Sequence, residues 1–293
     1  DKPRIVRKGV SYCDRILAGP GKQRWQPMNY SGVRYLVLVL REFEGDIQLT
    51  NIGVRASEPD LAWIGAFSCD DATLTRVFDL CARTQRVGTQ EGVIDCPTRE
   101  QAPYIGDGLL IARWIVMLTG DNRHWHYLVD AQFGRPGSEG LVRGSIFSGS
   151  PRALIDYSLL AIVGVRDYLR HTGDRDLAGK HLEACQRIVK HFETFGDDSG
   201  LVDIDKIPTA ADPASNSFNN LTPEKPLPTP TLLFIDHPGL GWHNVNEAGI
   251  DRRGLNCAFN ALRVQTYEAL AEVEQTLGAD AAESRHQIGR AHV

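Results

Sequence analysis

The hydrophobic period of the chain changes once, near residue 60, and that change limits the fold more than any other feature. Before it, residues 33–40 (VRYLVLVL) and 47–54 (IQLTNIGV) are short runs rich in β-branched and aromatic side chains, separated by Glu44, Gly45 and Asp46. Such runs read as strands joined by a turn. A polar junction follows at residues 57–60 (SEPD), and from Asp70 onward apolar residues recur every three to four positions. Asp70 and Asp71 are suited to cap a helix carrying Leu74, Val77, Phe78 and Cys81 on one face. Further helices are expected over 108–119, 123–133, 152–171, 175–195 and 254–277. In the last, Leu255, Phe259, Leu262, Thr266, Leu270, Val273 and Leu277 form one continuous stripe. The 152–171 helix is apolar nearly all round and should be deeply buried.

Consecutive helices with no strands between them predict an all-α domain built from helical hairpins. Residues 1–57 read as the end of a β-sandwich, 58–69 as a linker and 70–286 as the helical domain. Two stretches interrupt the helices: the Gly/Ser-rich residues 134–150, and 197–238, which hold seven of the fifteen prolines. Loops of that length in a compact domain are uncommon and are usually functional or disordered. They are expected to rim one end of the helical stack together with residues 95–107.

Thirty-seven acidic against thirty-two basic residues give a formal charge of −5, with no Lys/Arg-dense run. No nucleic acid partner is expected. No apolar stretch reaches the length of a membrane span, so no membrane partner is expected either. The start, Asp1-Lys-Pro-Arg4, has neither an initiator Met nor the apolar region of a signal peptide and reads as processed or truncated. Six scattered cysteines form no CxxC pair, which argues against a zinc or disulfide framework. His124 and His126, two apart on a helix, should point to different faces. No metal and no cofactor is expected.

The chemistry lies in residues 95–107, DCPTREQAPYIGD. Asp95, Glu100 and Asp107 place three carboxyls in thirteen residues, with Arg99 the only cation among them. Crowded acids raise one another's pKa, so one of them can stay protonated and act as a general acid. Pro97 and Pro103 stiffen the segment, and Tyr104 offers a flat apolar face suited to a sugar ring. The same residues also fit a plain structural part, with Asp107 capping a helix, Arg99 in an ion pair and Tyr104 in the core.

Asp95, Cys96, Pro97, Thr98, Arg99 and Glu100, followed by Gly106-Asp107, are similar to the motif of the family 78 glycoside hydrolases. These are α-L-rhamnosidases with an (α/α)6 barrel preceded by β-sandwich domains. The likeness extends more weakly to residues 155–157 (IDY), to Tyr168 and residues 172–174 (TGD), and to residues 234–237 (FIDH). It implies a mainly α chain, an incomplete (α/α)6 barrel after the end of a β-sandwich domain. It also implies that Glu100 is the general acid and that Asp95, Arg99 and Asp107 hold rhamnose hydroxyls. Tyr104 stands where members often carry Trp. Asp236 and His237 fall at a further substrate-binding position, where an aromatic commonly follows the Asp, and His237 departs from that pattern. Asp174 reads better as a turn residue.

The resemblance further implies inverting hydrolysis that releases terminal α-L-rhamnose from a rhamnose-containing oligosaccharide or glycoside. That mechanism needs a second carboxylate, roughly 6.5–9.5 Å from the acid, to activate water. In the family this base is a Glu far downstream in a Gly/Thr/Trp-rich segment, and nothing in this chain matches it. Glu247 suits a loop contact or helix entry instead. Residues 287–293 (QIGRAHV) read as a translated sequencing-library adapter, a non-native tail expected to pack against nothing. The chain is thus expected to be a fragment, inactive by itself, with part of the 254–277 stripe uncovered. Two other readings are a different (α/α)6 exo-glycosidase and a non-catalytic carbohydrate-binding barrel. Retention of Glu100 favours hydrolysis, because binding alone needs no proton donor.

Overall fold

A computed structural model of the chain describes residues 6–7, 10–11, 14–27, 29–98, 101–137, 140–146, 153–208, 231–233, 235 and 253–291. Strands β1 (Val6–Arg7) and β2 (Val10–Ser11) pair antiparallel. The β-sandwich expected over 1–57 is not seen among the described residues. Residues 33–40 and 47–54 form no strand, and Tyr35, Leu36, Val37, Ile52 and Val54 stand exposed. The physical reason is that a strand has no internal hydrogen bonds: it needs a neighbouring strand and a covering layer, and neither run finds one here.

From residue 72 the chain is helical. Helix α1 (Ala72–Gly88) is capped by the Asp71 carboxylate, which accepts from the Thr73 and Leu74 N–H groups at 2.7 and 3.3 Å. The residues before it form a strap. The N–H groups of Ile64 and Gly65 both donate to the Leu118 carbonyl, Arg86 lies over the Trp63 ring at 5.0 Å, and Phe67 meets Phe78 at 5.5 Å. A Cβ on Gly65 would fall 2.7 Å from the Leu118 Cα, so only glycine allows this close approach.

There follow α2 (Ile105–Thr119), α3 (Arg123–Gly134), β3 (Ala153–Leu154), α4 (Ile155–Thr172), α5 (Arg175–Glu193), a 3-10 turn (Ile204–Lys206), β4 (Thr231–Leu232), α6 (Cys257–Leu277) and α7 (Ala282–Ala291). Side-chain contacts fix their directions. Gly106 meets Tyr157, Gly164 meets Leu109, and Arg113 pairs with Asp167, so α2 and α4 run parallel. Thr266 reaches the Leu159 carbonyl and Arg170 pairs with Glu272, so α6 is parallel to α4. Tyr267 donates to Glu193 and Gln186 to Glu274, which makes α5 antiparallel to α6.

The result is a layer of α2, α4 and α6, backed by α3 and α5, with α7 packed on α6. This is the mainly α, incomplete hairpin barrel expected. Helix α4 is its centre and is buried over most of its length. The turns after α2, α4 and α6 each end on a left-handed glycine: Gly120 (φ 71°), Gly173 (φ 71°) and Gly278 (φ 82°). Because these three helices are parallel, all three turns lie at one end of the stack. The C-terminus-closing N–H groups donate to Val116, Leu169 and Gln275 carbonyls, which satisfies acceptors a helix end leaves open.

Two expectations fail in the C-terminal part. The stripe on α6 is covered: Phe259, Thr266, Leu270 and Val273 are buried, and only Leu255, which precedes the helix, is well exposed. The exposed apolar side chains of the helical part instead include Leu74, Val77 and Leu80 on α1 and Leu110, Trp114 and Met117 on α2. Of the tail, Gln287 and Ile288 do not stand clear of the protein, and residues 292 and 293 lie outside the described residues. Ser284 and Gln287 are buried and Ile288 packs against the core. Once α7 has started, adding residues costs little because each new one closes a hydrogen bond. Ala281, Ser284 and the 287–288 pair recur at helical spacing and so share the face toward α6.

His181 illustrates how the layers are joined. It is buried, its ring stacks on Phe133 at 4.8 Å, and its Nε2 lies 2.7 Å from Asp130, which Lys180 also contacts. Burial holds its pKa below 6.5 against the pull of Asp130, with Lys180 and His126 adding to the lowering. Asp130 is raised by burial but lowered on balance by its bonds from Lys180 and His181, so it stays ionised near neutrality. A histidine with a depressed folded pKa is neutral in the fold while the unfolded chain takes up a proton. Its contribution is therefore complete above about pH 6.5 and is lost as pH falls from there toward the folded value. Urea midpoints measured from pH 7.5 to 5.5 should fall, and His181→Gln should flatten that slope. An unchanged slope in the variant would refute the assignment.

Candidate active site

The motif segment is anchored at both ends by apolar side chains. Val93 and Ile94 are buried on one side and Ile105 on the other. Between them residues 95–102 close on themselves. The Asp95 N–H donates to the Ala102 carbonyl at 3.1 Å, and the Ala102 N–H donates to Asp95 Oδ1 at 2.9 Å. Gln101 adopts φ 52° and its Nε2 donates to the Pro97 and Tyr30 carbonyls at 3.0 and 2.9 Å. The Gly32 N–H donates to the Pro97 carbonyl at 2.8 Å. A Cβ on Gly32 would come within 2.9 Å of Pro97 Cγ. The strap thus buttresses the loop from outside.

Arg99 and Glu100 lie outside the described residues, as do Asp236, His237 and Glu247. The other three predicted site residues are placed. Asp95 is partly buried and closes the loop through Ala102. Tyr104 is the N-cap of α2, and its ring meets Tyr157 edge-on at 6.3 Å. Asp107 sits in the first turn of α2, where a negative charge is favoured by the helix dipole; it is not the cap. Burial, then the nearby Glu91, Asp95 and Cys96, push the Tyr30 phenol above its ordinary range. The field around the loop is therefore acidic.

The loop joins a rim at the N-terminal end of α2 and α4. Tyr104 bridges Ser145, and Arg143 bridges Ala153. The Ile146 N–H donates to Pro103 and the Leu154 N–H to Val142, each at 3.3 Å. Strand β3 then pairs in parallel with β4, Ala153 opposite Thr231 and Leu154 opposite Leu232. One residue beyond Leu233's neighbour, the Ile235 N–H donates to Asp156 Oδ2 at 2.8 Å. Residues 95–104, 141–146, 153–156 and 231–235 are thus laced together. Residues 197–207 reach the same end, since the C-terminus of α5 meets the N-terminus of α6 at Phe192 and Phe259.

Sequence reasoning missed Gln101 as a part of this rim, and for Tyr157 and Asp156 it gave only the weaker likeness of residues 155–157. The first needs a left-handed backbone that nothing in its type announces, and the others act through partners far along the chain. Two minor expectations hold. His124 faces the Gln90 carbonyl at 3.1 Å whereas His126 meets the Tyr168 ring. Asp174 caps α5 through the Leu177 N–H and accepts from Tyr168, a turn residue as read.

Helical hairpins with parallel inner helices, and an acidic loop at one end, are the architecture of a hairpin-barrel domain. The chain belongs to the bacterial alpha-L-rhamnosidase 6 hairpin glycosidase family, whose model matches residues 62–211, 150 of the 293. Among solved structures it resembles the GH78 family rhamnosidase of Bacillus sp. GL1, at 19% identity and a TM-score of 0.61 over 80% of this chain and 21% of that one. It also resembles the Klebsiella oxytoca rhamnosidase with rhamnose bound, at 17% identity and 0.60 over 80% and 39%. A third is the Streptomyces avermitilis α-L-rhamnosidase complexed with L-rhamnose, at 15% identity and 0.55 over 80% and 19%. At these identities the likeness is one of fold. The chain spans 19 to 39% of the length of these proteins. No curated protein matches it.

Proposed function

We propose that the chain carries the acid-bearing part of an inverting glycoside hydrolase that releases terminal α-L-rhamnose. The observation that carries this reading is the coincidence of the family match with the closed 95–102 loop, which falls inside residues 62–211. The loop is pinched at its base by two hydrogen bonds between Asp95 and Ala102, and Pro97 is braced by Gly32 and Gln101. In this reading Glu100 protonates the departing glycosidic oxygen, and Arg99, Asp95 and Asp107 receive the ring hydroxyls. Tyr104 supplies the apolar wall, and Asp236 and His237 face the sugar from the segment that follows β4. The second carboxylate is supplied by residues with no match in this chain. An N-terminal β-sandwich belongs to the same proposal.

The reading is tested by sugar binding to the chain itself. Calorimetric titration should show saturable binding of L-rhamnose and none of D-glucose or D-galactose at the same concentrations. Preference for either of those sugars would favour another exo-glycosidase, and failure to bind any sugar would overturn the reading.

A further inference from the structure

The buried carboxylate of Asp156 stands apart from the other acids of the rim. It lies in the first turn of α4, is 7% exposed, and reaches a backbone N–H seventy-nine residues away, that of Ile235. Ile235 holds φ 37°. For a β-branched residue this left-handed conformation is a genuine outlier, and such outliers persist only where their surroundings over-determine them. Three contacts do so here. The β3–β4 pairing fixes the chain as far as Leu232, Leu233 is fully buried, and the Asp156 carboxylate takes the next available N–H beyond. A hydrogen bond to an ionised acceptor is roughly twice as strong as a neutral one, which suits it to hold a strained residue. The neighbouring side chain, Tyr157, meets Tyr104 of the motif loop. One short stretch of α4 therefore touches both the acid-bearing loop and the segment leading into Asp236 and His237.

We propose that Asp156 is a positioning residue of the sugar site: it seats Ile235 and, with its neighbour Tyr157 against Tyr104, ties the end of β4 to the motif loop. The proposal rests on the rhamnoside reading above, and goes beyond it by assigning a role to a residue that need not touch the sugar.

The test combines amide exchange with binding in the full chain, using L-rhamnose as the probe. Asp156→Ala should speed exchange at the Ile235 amide at least tenfold and weaken L-rhamnose binding at least tenfold. Asp156→Asn keeps an acceptor oxygen and should bind within threefold of the unaltered chain. Asp156→Glu keeps the charge but moves the acceptor, and should lose affinity like the alanine variant; it carries the test if circular dichroism shows Asp156→Ala to be unfolded. Asp167→Asn, which breaks contacts to Arg113 and Arg166 farther along α4, should lower Tm without changing affinity. Unchanged exchange at residue 235 would overturn the proposal. So would faster exchange with unchanged affinity, wild-type affinity in Asp156→Glu, or an equal loss in Asp167→Asn. Exchange is read without sugar, so failure of the unaltered chain to bind L-rhamnose refutes the rhamnoside reading, and the positioning role with it, without being mistaken for failure of the contact.

Discussion

Glu100→Gln should lower kcat on natural rhamnosides by about 10²–10⁴-fold, the usual contribution of general acid catalysis. That is roughly 3–5 kcal/mol of barrier. The substitution keeps the size and polarity of the side chain and removes only its ability to give up a proton. The loss should therefore depend on the leaving group. A nitrophenolate departs without protonation, so on nitrophenyl α-L-rhamnoside the same variant should fall far less. The comparison requires an enzyme that carries this segment together with its water-activating carboxylate, since attack at the sugar carbon needs both groups. Equal losses on the two substrates would assign Glu100 to holding the sugar and not to moving a proton.

The largest effect on stability is expected at Asn260. Its side chain is buried and pairs with Val202 as a strand would, accepting from the Val202 N–H at 2.9 Å and donating to the Val202 carbonyl at 3.0 Å. The same Oδ1 accepts from Arg263, which also donates to the Gly200 carbonyl and to the Tyr267 hydroxyl. Tyr267 in turn donates to Glu193. Burial, with Glu193 adding and Arg263 opposing, pushes the Tyr267 phenol up to about 12, so it remains a donor at any pH the protein meets. Asn260→Ala would strip both backbone groups of Val202 and one acceptor of Arg263. Each buried group left unpaired costs about 1–3 kcal/mol, so a total near 3 kcal/mol is expected. That is a large share of the 5–15 kcal/mol that typically holds a domain. Urea denaturation should show a lower midpoint at constant m; a loss below about 1 kcal/mol would mean that water replaces the amide without penalty.

Asn260 also shows where the sequence misleads. Asn260, Arg263, Tyr267 and Glu274 recur at helical spacing on α6 and look like a solvated face, yet all four are buried. Their partners, Val202, Gly200, Glu193 and Gln186, belong to α5 and the chain after it, and no local pattern reveals them. The helices themselves were legible, because an apolar stripe and a cap such as Asp71 are local properties. Cys185 is buried in the core, and burial pushes its thiol up to about 12. Over residues 33–54 no strand is seen among the described residues, because alternation announces a strand only to a partner able to pair with it. At the site the acids, Tyr104 and the stiffening prolines could be read in order along the chain. The closure of Asp95 on Ala102, the left-handed Gln101 and the reach of Asp156 to Ile235 could not, since each depends on where distant backbone arrives.

The placement of Gly120, Gly173 and Gly278 at one end of the stack has a consequence for how such a domain can diversify. The turn end tolerates almost no change of length, because each cap closes a helix within a residue or two and any insertion would shift the register of the next hairpin. The opposite end carries the longer rim segments, held to one another by backbone bonds and to the helices at single points such as Ser158, Asp156 and Asn260. Added length is therefore absorbed at the rim and not at the turns, so the two poles of the same bundle respond differently to insertion.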